Sequence, residues 1–97
     1  MARPNLTLRT HAHATRVVFE GRRAVGIEYR HHGQLRVARA AAEVILAGGS
    51  INSPQLLQLS GVGDPAVLQA AGVPLTHALV GVGENLVDHY AARVAAR

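Results

Sequence analysis

The sequence predicts a mixed α/β chain: an antiparallel β-meander, then a strand buried on both faces, then two short helices. Three observations carry this. Between residues 12 and 39, apolar and polar residues alternate in short runs separated by glycine-containing turns, the pattern of half-buried strands. Val44 to Ala47 is apolar without alternation and stops at Gly48-Gly49, as in a parallel strand covered on both sides. Beyond it, Ser53-Pro54 and Asp64-Pro65 each put a capping side chain just before a proline, a combination that opens helices.

The elements follow in order. Leu6-Thr7-Leu8-Arg9-Thr10 alternates as a short strand. Ala12 to Glu20 continues extended and ends in the β-branched and aromatic run Val17-Val18-Phe19. Glu20-Gly21-Arg22-Arg23 is a turn. In Ala24 to Arg30, Val25, Ile27 and Tyr29 face one way while Glu28 and Arg30 face the other. His31-His32-Gly33-Gln34 is a second turn, since glycine readily supplies a positive φ, and Leu35 to Arg39 is the strand after it. The unalternating run Val44 to Ala47 is the buried strand. A helix is expected from the Ser53 cap to Ser60-Gly61, carrying Leu56, Leu57 and Leu59. A second runs from Asp64-Pro65 to Ala71, where Gly72 ends it and Pro74 blocks its continuation. Leu75 to Val80 is apolar and extended, Gly81 to Asn85 is a loop, and Tyr90 to Ala96 gives no clear pattern.

Composition narrows the function classes. Ninety-seven residues suit one small domain or a slice of a larger one, and a hydrophobic content of 48% argues against disorder. Aromatics amount to 3% (Phe19, Tyr29, Tyr90), so small side chains must fill the core and the isolated chain should be marginally stable. All ten basic residues are arginine and the net charge is +4. They never form a run, few aromatics are present to stack bases, and no basic amphipathic helix is evident. Nucleic acid is therefore not the expected partner, and a genome-level bias explains the arginines more simply. The absence of cysteine excludes disulfides and thiolate chemistry. No apolar stretch approaches the roughly 20 residues of a membrane span, and the N-terminus lacks a signal-like apolar segment. The expected location is cytoplasmic, with the sequon Asn5-Leu6-Thr7 accidental.

Gly48-Gly49 is the first candidate site. Two glycines after a strand let backbone approach a ligand with no Cβ in the way, and ligands in open α/β sheets sit beyond the carboxyl ends of strands. The competing reading is a tight strand-to-helix turn, and residue chemistry leaves both open. His11 and His13 share a face of an extended segment, but without carboxylate or thiolate companions a packed or solvated pair is the better reading than a metal site. His31-His32 is expected exposed in its turn. His77 and His89 lack a sequence-near nucleophile, and Glu84 and Asp88 read as solvated loop residues. Gly81-Val82-Gly83-Glu84-Asn85-Leu86 begins like a dinucleotide fingerprint but ends in leucine, with no clear βαβ unit around it.

The run Gly49-Ser50-Ile51-Asn52-Ser53-Pro54-Gln55-Leu56-Leu57-Gln58-Leu59-Ser60-Gly61-Val62-Gly63 resembles the second signature of the glucose–methanol–choline (GMC) oxidoreductases. Ser-Pro lies within it and Ser-Gly-aliphatic-Gly closes it. Arg3 to Thr7 with Thr10-His11-Ala12, Arg23 to Tyr29, and Gly81 to Leu86 with Asp88-His89 extend the resemblance over nearly the whole chain, closest to choline-dehydrogenase-like members. The resemblance implies part of a Rossmann-type FAD-binding domain over residues 1–63 and the start of a substrate-domain region over 64–97. It implies FAD as cofactor and a small-molecule alcohol as substrate, with hydride passing from the carbinol carbon to flavin N5. The family's N-terminal Gly-x-Gly-x-x-Gly turn and its C-terminal catalytic histidine have no counterpart in this sequence. No catalytic residue and no metal ligand is therefore expected here, and the chain alone is expected to be inactive. What carries over is a secondary cofactor contact: Ala14, whose backbone would meet the adenine, and Ala47, Gly48 and Gly49 at the strand end packed near FAD. The alternative is a non-catalytic remnant, or a piece complementing separately supplied segments of the same fold, that binds no flavin alone.

Overall fold

In a computed structural model of the chain, which describes residues 3–92 and 94, the meander forms as a three-stranded antiparallel sheet. Its strands are β1 (Ala12–Glu20), β2 (Arg23–His31) and β3 (Gln34–Arg39), in the order β1-β2-β3. Pairing of Glu20 with Arg23 and of His31 with Gln34 leaves two-residue loops. In the second loop His32 and Gly33 both have positive φ, at 49° and 77°. Such mirror-image turns match the right-handed twist of the strands they join. In the first, Gly21 supplies a φ of 60°. Both turns fall where the glycines placed them.

The β1–β2 register slips between Ala14 and Arg16, leaving Thr15 as an extra residue. Side chains pin this bulge. The Thr15 hydroxyl lies 3.2 Å from the Glu28 carbonyl and 2.7 Å from its Oε1. Arg16 donates two hydrogen bonds to Glu28 Oε2, at 3.1 and 3.0 Å. Val17, Val25 and Tyr29 are buried, whereas every residue of β3 is exposed.

The second half carries helix α1 (Gly49–Leu59), strand β4 (Val62–Gly63), helix α2 (Pro65–Ala70) and strand β5 (His77–Ala78). β4 and β5 pair in parallel, Val62 with His77 and Gly63 with Ala78, and α2 is the crossover that a parallel pair requires. α2 starts as its sequence indicates: the Asp64 carboxylate accepts from Ala66 N at 2.8 Å, and the chain leaves through Gly72 at φ 69°. Leu68 is buried, only 1% exposed, and with Val62 and Val82 it forms a second small core. The pair joins residues on both sides of the expected domain boundary at 63/64.

Three expectations are corrected. Leu6 to Thr10 is not a strand: Leu6 and Leu8 are 65% and 82% exposed, and a φ of 54° at His11 turns the chain out of line before β1 begins. Alternation supplied a pattern but no pairing edge. Val44 to Ala47 is extended but lies in no sheet, with Ile45 78% exposed and Val44 and Leu46 half-buried. A continuous apolar run signals that neighbours are needed, and no strand among the described residues provides one. α1 starts at Gly49 with Gly48 at its cap, rather than at Pro54 with Ser53 at its cap, so Pro54 lies inside it. Ser53 still serves the helix start, its Oγ accepting from Gly48 N at 2.9 Å. The proline leaves the exposed Ser50 carbonyl without its i+4 donor. Of the expected Leu75–Val80 segment, only His77–Ala78 pairs. The radius of gyration is 17.3 Å, against about 13 Å for a compact chain of this length, so apolar residues such as Leu35, Val37, Ile45 and Ile51 remain uncovered.

Gly61 ends α1 at φ 82°, and a Cβ there would lie 2.4 Å from the Pro74 carbonyl oxygen and 2.9 Å from Thr76 N. Gly72 has a φ of 69° but nothing within 4 Å. Gly72→Ala is therefore expected to cost about 1–2 kcal/mol of left-handed strain. Gly61→Ala adds a backbone clash and is expected to cost at least about 2 kcal/mol more, of the order seen for overpacking. Urea unfolding of the two variants, followed by circular dichroism, measures the difference.

Candidate functional site

A cleft of about 330 Å³ opens between the sheet, the extended segment before α1 and α1 itself. Ala14 and Ile27 come from the sheet, Ala47 and Gly48 from the extended segment, and Ser53 and Leu56 from the helix. Its volume falls at the lower end of the roughly 300–1,000 Å³ typical of small-molecule sites. Three of the four residues singled out from the sequence, Ala14, Ala47 and Gly48, thus line one cavity although 34 positions separate the first from the last. Gly49 adjoins the cleft without lining it.

Local chemistry explains the arrangement. At Gly48 a Cβ would press against Asn52 Cβ at 3.3 Å and Ser53 Oγ at 3.4 Å. Gly49 has a φ of 88°, the region that favours glycine. Gly49 makes the turn into α1, and Gly48 lines the cleft where a Cβ would press on the first turn of the helix. Ala14 stands beside the Thr15 bulge, on the strand at the outer edge of the sheet. Bulges commonly lie next to functional sites, where they re-aim the chain.

One residue of the site was not singled out from the sequence. Ser60, read only as a helix end, is buried. Its Oγ accepts from Val17 N at 2.7 Å and donates to the Leu56 carbonyl at 2.6 Å. Its own carbonyl accepts from Thr76 Oγ1 at 3.0 Å, and Gly61 O accepts from Thr76 N and His77 N at 2.7 and 3.0 Å. A small hydroxyl beside an obligatory glycine at a helix end was the available signal.

The histidines are dispersed. His31 and His32 meet edge to face, 4.1 Å between ring centroids, with Tyr29 6.4 Å from His31 and accepting at its hydroxyl from Arg9 at 3.1 Å. His31 is half-buried rather than exposed, because its ring lies between Tyr29 and His32. Partial burial lowers the His31 pKa, and the charges of His32, Arg36, Arg9 and His11 add to the effect. Among the described residues, no three histidine or carboxylate side chains gather where a metal ion would be held. Glu84, Asp88 and His89 are exposed. No described helix is long and apolar enough to cross a membrane.

The GMC oxidoreductase family model matches residues 1–91. The chain belongs to that family. Its sequence is 58% identical over 88 residues to an oxygen-dependent choline dehydrogenase of Paraburkholderia xenovorans, covering 91% of this chain and 16% of that protein. The Escherichia coli (strain CFT073) enzyme of the same description is 52% identical over 90 residues, with the same coverage. Among solved structures, an FAD-dependent oxidoreductase from Chaetomium thermophilum aligns with a TM-score of 0.76 at 30% identity over 80% of this chain and 14% of that one. A formate oxidase aligns with a TM-score of 0.74 at 30% identity, over 76% of this chain and 13% of its own. The GMC resemblance of residues 49–63 is thereby established for the chain as a whole, and the mixed α/β fold agrees with its structural neighbours.

The bulge beside the cleft also has a pH dependence. Hydrogen bonds from Thr15 and then Arg16 hold the Glu28 carboxyl below its ordinary value of 4.5. Because the folded value is lowered, the stabilisation is present above about pH 4.5 and is lost as pH falls through the lowered value. Glu28→Gln is expected to lower Tm near neutral pH, with the gap to the unaltered chain closing below about pH 4. Thermal melts of the two chains across this range provide the check.

Proposed function

We propose that this chain forms one wall of the FAD site in a choline-dehydrogenase-like GMC oxidoreductase that oxidises the CH–OH group of a small alcohol. The observation that carries the reading is the convergence of Ala14, Ala47 and Gly48 on one cleft. The residues fit such a group. The lining is mostly apolar, with Ile27, Leu46, Leu56 and Leu59 around the small residues Ala14, Ala47 and Gly48, and a Cβ at Gly48 would crowd the start of α1. In this reading, backbone at Ala14 meets the adenine, and Ala47 and Gly48 pack against the cofactor while Gly49 aims the helix. FAD, when bound, supplies the hydride acceptor for the alcohol carbon.

The chain's own residues bind and orient; the reading gives none of them a proton-transfer role. Residues 1–63 act as the end of the cofactor domain and residues 64–97 as the start of the substrate region. The parallel β4–β5 pair ties the two together. The full reaction belongs to the whole protein, of whose relatives this chain spans about 16%.

Two measurements test the reading. Titration of the chain with FAD, followed by flavin fluorescence anisotropy, is expected to saturate. Gly48→Val, which fills the wall with two extra methyl groups, is expected to weaken binding at least tenfold; no rise in anisotropy for the unaltered chain rejects the cofactor site. Separately, replacing the matching segment of the Escherichia coli relative with this sequence is expected to give a protein that retains FAD and oxidises choline. A flavin-free product rejects the assignment to that enzyme class.

A further inference from the structure

Among the described residues, a single hydrogen bond connects the meander with everything after residue 42: Val17 N to Ser60 Oγ, 2.7 Å long and spanning 43 positions. The other bonds leaving the sheet reach only Arg9, Ala40 and Ala41. The same hydroxyl donates to the Leu56 carbonyl at 2.6 Å. Its two partners belong to the two walls of the cleft. Leu56 lines the helix wall, and Val17 is the register partner of Ile27, which lines the sheet wall. Ser60 is buried, no buried side-chain polar atom is unsatisfied among the described residues, and the bond to Val17 N is itself buried away from competing water, where its loss is costly.

We infer that Ser60 is a positioning residue for the cofactor cleft, its hydroxyl fixing the distance between the sheet wall that carries Ala14 and the helix wall that carries Leu56. This rests on the cofactor reading above and adds a residue that does not itself line the cleft. Removing the hydroxyl strands Val17 N and frees β1 to move relative to α1, so the cleft widens while each wall keeps its own fold. Thr76 is the internal comparison. Its hydroxyl bonds to the Ser60 carbonyl at 3.0 Å, at the same junction but with no link to the sheet.

The experiment is FAD titration of the chain by flavin fluorescence anisotropy for four proteins: unaltered, Ser60→Ala, Ser60→Thr and Thr76→Val. Ser60→Ala is expected to bind about tenfold more weakly, as the loss of a buried hydrogen bond implies. It should also exchange the Val17 amide hydrogen faster while retaining the circular dichroism of the sheet. Ser60→Thr, which keeps a hydroxyl, is expected to restore most of the affinity, and Thr76→Val to stay within about threefold of the unaltered chain. Equal affinity of Ser60→Ala and the unaltered chain overturns the inference and leaves the cofactor reading standing. An equal loss in Ser60→Ala and Thr76→Val also overturns it, since the junction would then act through general stability alone. Absence of binding by the unaltered chain removes the cofactor reading and the inference with it.

Discussion

The Ser60-Gly61 junction is the point on which the rest of this structure depends. The Ser60 hydroxyl holds β1 to α1, while the Gly61 carbonyl takes two backbone donors from the segment that becomes β5. The meander, the helix and the parallel pair thus meet at two residues. The demands on each are specific. Position 60 needs a small hydroxyl that can donate to its own helix and accept from a strand. Position 61 needs glycine because the returning backbone passes where a Cβ would sit. A helix end, usually the frayed and solvated part of the element, is here held by bonds to the sheet and to the segment before β5.

The cleft is a consequence of that geometry. With α1 held against β1, the extended segment at residues 44–48 has to cross the open end between them, and small residues at Ala47 and Gly48 let it do so closely. On the sheet side the Thr15 bulge, locked by Glu28 and Arg16, interrupts the register next to Ala14. Small residues at Ala14, Ala47 and Gly48 thus sit among the larger apolar side chains Ile27, Leu46, Leu56 and Leu59. Such a surface suits a flat, largely apolar group recognised by shape and main-chain atoms.

Much of this was legible from residue chemistry, and the failures have physical causes. The hairpins were readable because two-residue turns demand positive φ, and Gly21 and His32-Gly33 supply it in place. α2 was readable because Asp64-Pro65 is a complete local instruction: the cap and the first helical residue need no distant partner. The start of α1 was misplaced by five residues, from a Ser53 cap to a Gly48 cap, because the same Ser-Pro pattern can act from inside a helix, with Gly48 N donating to Ser53 Oγ. Leu6–Thr10 and Val44–Ala47 were misread for the opposite reason. Their patterns describe what a strand requires of its surroundings, and the neighbouring strand is not among the described residues. Gly48 was singled out by its place after an apolar run and Ala14 and Ala47 through family resemblance, and no local pattern indicates that the three line one cleft. Ser60 escaped because its role is set by a contact 43 positions away, which no window along the sequence contains.

The length of that contact also orders events in time. The two hairpins close through two-residue loops, and hairpins of this kind assemble in roughly 1–10 μs. Joining Val17 to Ser60 instead closes a loop of 43 positions, with a chain-entropy cost that grows logarithmically with loop length and reaches about 3 kcal/mol before any constant term. The meander and the α2 crossover are thus early, local structures, and the clasp between them comes late. A bond made after the rate-limiting step governs how fast the native arrangement opens, with little influence on how fast it forms. If Ser60 bonds to Val17 only after that step, it sets the lifetime of the assembled walls rather than the rate of their assembly.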